Sequence, residues 1–376
     1  MNSIIVLGAG MVGRTIAIDL HSRFDVTVVD INHKHLEILS KNYSIKTVHG
    51  NLSSEEFIKK IVKNYDLVID AVPGFMGFNT LKAVIESGKN IVDISFFSEE
   101  PSELEELAIQ KNVIAIIDCG VAPGLSNIII GYHNKIMKIN SFEILVGGLP
   151  VKRTLPFQYK APFSPVDVIE EYIRPARLVE NGKIVTKPAL TDAELINIDP
   201  VGTLEAFNTD GLRTLLHTMK IPNMKEKTLR YPGHREYIKV LKDTGFFDQN
   251  SIEINGVQIK PIELSSKLLF NEWKLENDEQ EFTVMRIVLE GEENDQYKKY
   301  EYILFDKSDE KNKISSMART TGFTCTAVAK LILFKHYLSK GISYPEFIGA
   351  YNNCFDLLIK DLKEHNISIN KKVFYQ

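Results

Sequence analysis

A short apolar run, Ser3 to Leu7, ends in Gly8-Ala9-Gly10-Met11-Val12-Gly13, and this junction constrains the fold more than any other stretch. The glycines follow a strand-like segment and open a helix-like one, as in a dinucleotide-binding turn. There the first glycine permits the tight bend and the second lets the backbone approach a pyrophosphate. The third allows the helix to pack closely on the sheet. The next strand-like run, Val26–Val29, is followed by Asp30, at the distance expected of a ribose-binding acid. A carboxylate there accepts ribose hydroxyls and repels a 2′-phosphate, so the expected cofactor is NAD rather than NADP. Ile31, beside Asp30, joins the fingerprint as a cofactor contact. The competing interpretation is a nucleotide-free domain in which Asp30 merely caps a helix.

Strand-like and helix-like segments go on alternating, the pattern of a doubly wound parallel sheet in the α/β class. The expected strands are Ile4–Leu7, Val26–Val29, Ile45–Val48, Leu67–Ala71, Ile91–Ile94 and Val113–Ile117. Helices are expected near 11–22, 33–42, 54–64, 78–88 and 101–111. In such sheets ligands bind at the carboxyl ends of the strands. Asn51 and Leu52 therefore fall near the adenine, and Ala71, Val72 and Pro73 near the nicotinamide half, with Ser95 past the fifth strand. The competing interpretation of these loops is an ordinary strand-to-helix turn.

After about residue 140 the texture changes to a mixed or antiparallel sheet within an α+β region. Ser141–Gly148 reads as a strand. Ala176–Lys187 reads as a hairpin turning at Asn181-Gly182, and 281–290 with 297–305 as a pair around the acidic loop GEENDQ. Phe323–Leu338 and Tyr344–Leu362 read as helices. The expected division is a Rossmann domain over 1–125, a substrate domain over 126–317, and a helical segment over 318–376.

With 376 residues there is enough chain for two cores. A net charge of −4 gives no electrostatic footprint for nucleic acid or an anionic membrane. Three scattered cysteines argue against a disulfide framework, and no apolar run is long enough to span a bilayer. Neither a basic leader nor a cleavage site is visible, so a cytoplasmic setting is expected. The nine histidines lack metal-ligand spacing, and no metal is expected.

The segment DCGVAPGLSN at 118–127, together with the fingerprint, resembles the saccharopine dehydrogenase superfamily. GGLP at 147–150, FSPVDVIEEYIRPA at 163–176, GTLEAFNTDGLRTL at 202–215, EKTLRYPGH at 226–234 and ARTTGF at 318–323 resemble its lysine 6-dehydrogenase branch most. The resemblance implies an inserted second domain, with the helical segment 318–376 packing back on the first, and NAD-dependent oxidation of the ε-amine of L-lysine. The products would be ammonia, NADH and 2-aminoadipate 6-semialdehyde, which cyclises to a piperideine carboxylate. By analogy it also implies a homodimer or homotetramer. The alternatives are saccharopine dehydrogenase or reductase, a related carbon–nitrogen oxidoreductase, and a nucleotide-sensing regulator without catalysis.

Amine dehydrogenation needs a group to take a proton from an ammonium and to guide water onto an iminium. Asp93 and Asp118, at the ends of consecutive strands, suit that work, although each would equally serve as a loop cap. Cys119 is expected to pack. A lysine α-carboxylate calls for an arginine fork, for which Arg213 and Arg235 are the candidates. His234 is a second base or carboxylate donor, and Thr209 with Asp210 would hold the α-ammonium or line the pocket. Against these stand a solvated helix face for Arg213 and a simple turn residue for His234.

Overall fold

Ser3–Leu7 (β1), Asp25–Asp30 (β2), Lys46–His49 (β3), Leu67–Asp70 (β4), Asn90–Asp93 (β5) and Ile114–Ile116 (β6) form one parallel sheet. The order across it is β6-β5-β4-β1-β2-β3, with Gly341–Ser343 added beside β6 as a seventh parallel strand. Ile4, Ile5, Val6 and Leu7 are fully buried. A strand covered on both faces needs such an unbroken apolar run, because helices pack above and below it. The computed structural model describes residues 2–161, 165–276 and 279–375, with the backbone alone for 165–167. Phe163 and Ser164 of the FSPVDVIEEYIRPA block lie outside the described residues.

The chain divides into two units, Met1–Ile136 with Met317–Ser368, and Met137–Ser316 with Ile369–Gln376. Helix Leu125–Ile136, expected in the substrate domain, belongs to the first unit. The helices Ser316–Leu333, Pro345–Ala350 and Cys354–Glu364 replace the two expected near the C-terminus. Gly341–Ser343 splits the run, and three residues are too few to show a strand period. The chain's last segment, expected as helical packing on the first domain, is instead a strand, Ile369–Tyr375, in the second unit's sheet.

Helix starts in the first unit follow local capping. Ser54 accepts the Phe57 N–H at 3.3 Å and starts Glu55–Ile61, while Asn32 accepts Lys34 and His35 and starts His33–Tyr43. The fourth helix begins at Gly74, earlier than expected, with Pro73 in the capping position.

The second unit is built on a nine-stranded mixed sheet. Lys138–Pro150 runs parallel to Asn223–Arg230 on one side and antiparallel to Glu281–Glu293 on the other. Asn181 and Gly182 both have positive φ and close the Ala176–Lys187 hairpin as expected. The GEENDQ segment is not a loop: the long strands pair down to Glu293 and Gln296, and only Asn294-Asp295 turn. Trp273, Tyr172 and Phe207 lie at the centre of this unit's core. Among the described residues no helix is long and apolar enough to cross a membrane.

Candidate functional site

The carboxyl edge of the parallel sheet gathers most of the first unit's chemistry. β1 ends at Gly8, whose φ of +105° and close approach to β4 both require glycine: a Cβ would lie 2.5 Å from the Ala71 carbonyl oxygen. At Gly13 a Cβ would lie 2.2 Å from the Gly8 oxygen. Gly10 differs, for a Cβ there would meet no protein atom within 4 Å. It precedes helix Met11–His21, and no side chain caps that helix. An uncapped helix start, with its amides and positive dipole end, beside an open glycine fits a pyrophosphate. Met11 is exposed and Val12 partly so, at the mouth of this cradle.

Asp30 ends β2, and its carboxylate is anchored to the loop. Oδ2 accepts the Ala9 N–H at 2.6 Å and Oδ1 the Asn32 N–H at 2.7 Å. Both bonds hold the acid at the glycine turn and leave lone pairs for ribose hydroxyls. Ile31 next to it is exposed. Asn51 folds its side chain back onto the Ser53 N–H, and Leu52 is buried in the core. Leu52 therefore shapes the β3 loop from below, while Asn51 is exposed beside it. Ala71 packs under Gly8 and Gly13, and Val72 donates its N–H to Asp70.

Three strand ends present aspartates in a row: Asp70 on β4, Asp93 on β5 and Asp118 just beyond β6, all buried. Asp93 Oδ1 accepts both the N–H and the hydroxyl of Ser95, at 2.5 and 2.6 Å. Ser95 is thus a partner of Asp93. Asp118 has a φ of +52°, and the following Cys119 donates its N–H to the Asp93 carbonyl at 3.0 Å. Burial, then the charges of Asp93 and Asp118, push the Cys119 thiol far up, so it packs and does not react. Asp70 was not singled out from the sequence. Burial and the neighbouring Asp93 hold its carboxyl well above the usual carboxylate range. The available signal was the repetition of an acid at successive strand ends.

In the second unit the expected residues fall into two clusters. Thr209 is buried, donating its hydroxyl to Glu226 at 2.7 Å, with the Thr228 hydroxyl at 2.9 Å. Asp210 is held by a bidentate Arg177 fork at 2.9 and 2.8 Å. Arg213 is not on a helix: its φ is +45°, and only Leu215–Thr218 after it is helical. Glu226 was missed, because a glutamate in EKTLRYPGH reads as a strand-surface residue. Burial pushes its carboxyl up to about 8 despite the Thr209 hydrogen bond.

His234 is a core residue. Its ring is fully buried beside Tyr172 and Trp273, with Nε2 3.0 Å from the Tyr172 hydroxyl and Nδ1 2.8 Å from the Phe157 carbonyl. Burial, then the charge of Arg230, hold it neutral at about 3. Arg235 is committed as well, its Nε donating to Glu205 at 2.8 Å. Arg230 pairs with Glu171 at 3.1 Å and stacks over Tyr159, and Lys227 pairs with Glu194 at 2.6 Å.

The model for the "Saccharopine dehydrogenase NADP binding domain" matches residues 4–116, and that for the "Saccharopine dehydrogenase C-terminal domain" matches 120–367. Saccharopine dehydrogenase [NADP(+), L-glutamate-forming] of Schizosaccharomyces pombe is 29% identical over 269 residues, 67% of this chain and 60% of that protein. The mitochondrial alpha-aminoadipic semialdehyde synthase of Mus musculus is 25% identical over 285 residues, 69% of this chain but 30% of that protein. The match thus spans less than two thirds of these relatives. Apo saccharopine dehydrogenase (L-Glu forming) of Saccharomyces cerevisiae superposes over the full length of both chains with a TM-score of 0.83. At 20% identity that likeness is one of fold.

Proposed function

The chain belongs to the saccharopine dehydrogenase family, and from that premise we propose that it is a nicotinamide-dinucleotide oxidoreductase that cleaves saccharopine at its secondary amine. With water, saccharopine would yield L-glutamate and 2-aminoadipate 6-semialdehyde, passing two electrons to the dinucleotide and releasing a proton. The observation that carries this reading is the carboxyl edge of the parallel sheet. There the open Gly10 cradle and the buried acids Asp93 and Asp118 lie at the ends of strands of one sheet.

Gly8 to Gly13 would hold the pyrophosphate and Asp30 the adenosine ribose. The bound nicotinamide supplies the hydride acceptor. The chain's own residues must manage protons and water. The amine must shed its extra proton before it can lose a hydride, and a buried carboxylate suits that task. Asp93, already steadied by Ser95, and Asp118 fill this role in the reading.

One observation favours the smaller substrate L-lysine as a second reading. Arg177, Arg230, Arg235 and Lys227 are each paired with a carboxylate of their own unit, which leaves them less to offer a second, glutamate-like arm. Assays of saccharopine and of L-lysine, each with NAD and with NADP, separate the two. Reduced nicotinamide appearing with stoichiometric glutamate from saccharopine supports the main reading. Lysine-dependent reduction with ammonia release, and none with saccharopine, replaces it by ε-deamination.

A further inference from the structure

The end of the cofactor groove around Asp30 is rich in imidazole. His49 is the register partner of Asp30 across β2 and β3, and its Nε2 lies 3.1 Å from the Ile31 carbonyl. His33, which opens the helix after β2, stacks on His49 with ring centroids 3.8 Å apart and planes 7° from parallel. Both rings are exposed. Other charged or titratable groups face this corner from each neighbouring element. Arg14 of helix Met11–His21 interacts with Asp30 and Tyr43. His35 interacts with Arg14 and Asp30, and its Nε2 lies 3.5 Å from the Asn32 amide nitrogen. Lys34 is exposed beside them, and Lys46 on β3 is committed to Asp25 at 2.7 Å.

Two imidazoles in face-to-face contact accept a second proton less readily than the first, since two would place like charges together. While the stack is neutral, Asp30 sets the local charge and favours a 2′-hydroxyl. One proton turns the stack into a cation with N–H donors beside that carboxylate, the counter-charge a phosphate needs. Imidazole is the side chain whose ordinary titration falls between about pH 5 and 8. We propose that the His33–His49 stack is the 2′-selector of this groove. It admits a 2′-phosphorylated dinucleotide when it holds a proton and leaves Asp30 to favour the 2′-hydroxyl when it does not. The proposal rests on the dinucleotide reading above and extends it to cofactor choice.

The test is calorimetric binding of NAD and NADP to the full chain at pH 6 and pH 8, for the native protein, His33→Asn and His49→Gln. The 2′-phosphate itself titrates at about 6, so the comparison between native protein and variants isolates the imidazole contribution. On acidification the native affinity ratio should move towards NADP about tenfold further than in either variant, the effect of a one-unit pKa change on binding. Equal pH dependence in all three proteins overturns the selector and leaves the dinucleotide reading intact. If neither dinucleotide binds the native chain at either pH, both fall together.

Discussion

Asp70 and Asp93 are register partners at the carboxyl ends of β4 and β5, and neither side chain reaches solvent. Asp70 Oδ1 accepts the Val72 N–H at 3.2 Å, while its Oδ2 has no hydrogen-bond partner among the described residues. Adjacent buried carboxylates resist ionising together, and burial with the neighbouring Asp93 holds the Asp70 carboxyl well above its usual range.

Folding raises the Asp70 pKa, so above the ordinary value of 3.8 the unfolded chain ionises first. Stability should therefore fall as pH rises, until the folded carboxyl also titrates. Asp70→Asn cannot ionise and should lose this part of the slope. Urea midpoints of native protein and variant across that range measure it. Parallel curves would mean that Asp70 titrates alike in the folded and unfolded chain.

The glycines of the cradle should separate folding from binding. Gly10→Ala places its methyl in open space at an ordinary φ of −64°, so the fold should persist while dinucleotide affinity drops. Gly13→Ala drives a methyl into the Gly8 carbonyl, so the unliganded protein itself should lose stability. A loss of 1–3 kcal/mol, typical of overpacking, lowers the melting temperature by roughly 2–10 °C in a chain of this kind. Melting curves without ligand, set beside calorimetric titrations, test the contrast. Equal melting shifts for the two variants would refute it.

The parallel sheet was legible because each strand is an apolar run ended by a turn residue, and the fingerprint fixes where the first helix starts. Gly341–Ser343 was hidden because three residues carry no period, and Ile369–Tyr375 because Lys371 and Lys372 interrupt its alternation on an edge strand. The cofactor cradle could be read residue by residue, since its geometry is local to ten consecutive positions. The second unit's polar residues could not. Whether Arg235 is free or tied to Glu205, or His234 is a base or a core residue, depends on partners about 30 and 77 positions away.

Asp118 has left-handed backbone, which asparagine adopts at least as readily as aspartate. Asp118→Asn therefore removes charge without adding strain, whereas Asp118→Ala changes both. If the carboxylate handles a proton, Asp118→Asn should slow turnover by about 10²- to 10⁴-fold and alter KM little. A rate within a factor of about two of the native one would assign Asp118 to loop structure instead.

Lys330 joins three helices of the first unit. Its Nζ lies 3.1 Å from Asp19 and 3.0 and 2.9 Å from the two oxygens of Asp361, and it is almost fully buried. His365 completes the cluster, with Nε2 2.6 Å from Asp19 and Nδ1 2.8 Å from the Asp361 carbonyl. Burial alone would raise Asp19, but the His365 hydrogen bond and the Lys330 charge pull it down to about 2. Against its own burial, His365 is raised above 6.5 by the Asp19 hydrogen bond and charge. The Asp19 contribution is complete above 3.8 and fades as pH falls towards about 2. The His365 contribution is complete below 6.5 and is lost as pH rises through the raised folded value. Denaturation of the native protein should thus show this cluster at full strength between those limits, and His365→Asn should remove the alkaline part of the decline. Lys330→Met leaves two buried carboxylates without their ammonium and should cost about 3–5 kcal/mol at neutral pH. A loss below about 1 kcal/mol, the level of an exposed pair, would mean that the cluster is solvated and does not hold the three helices together.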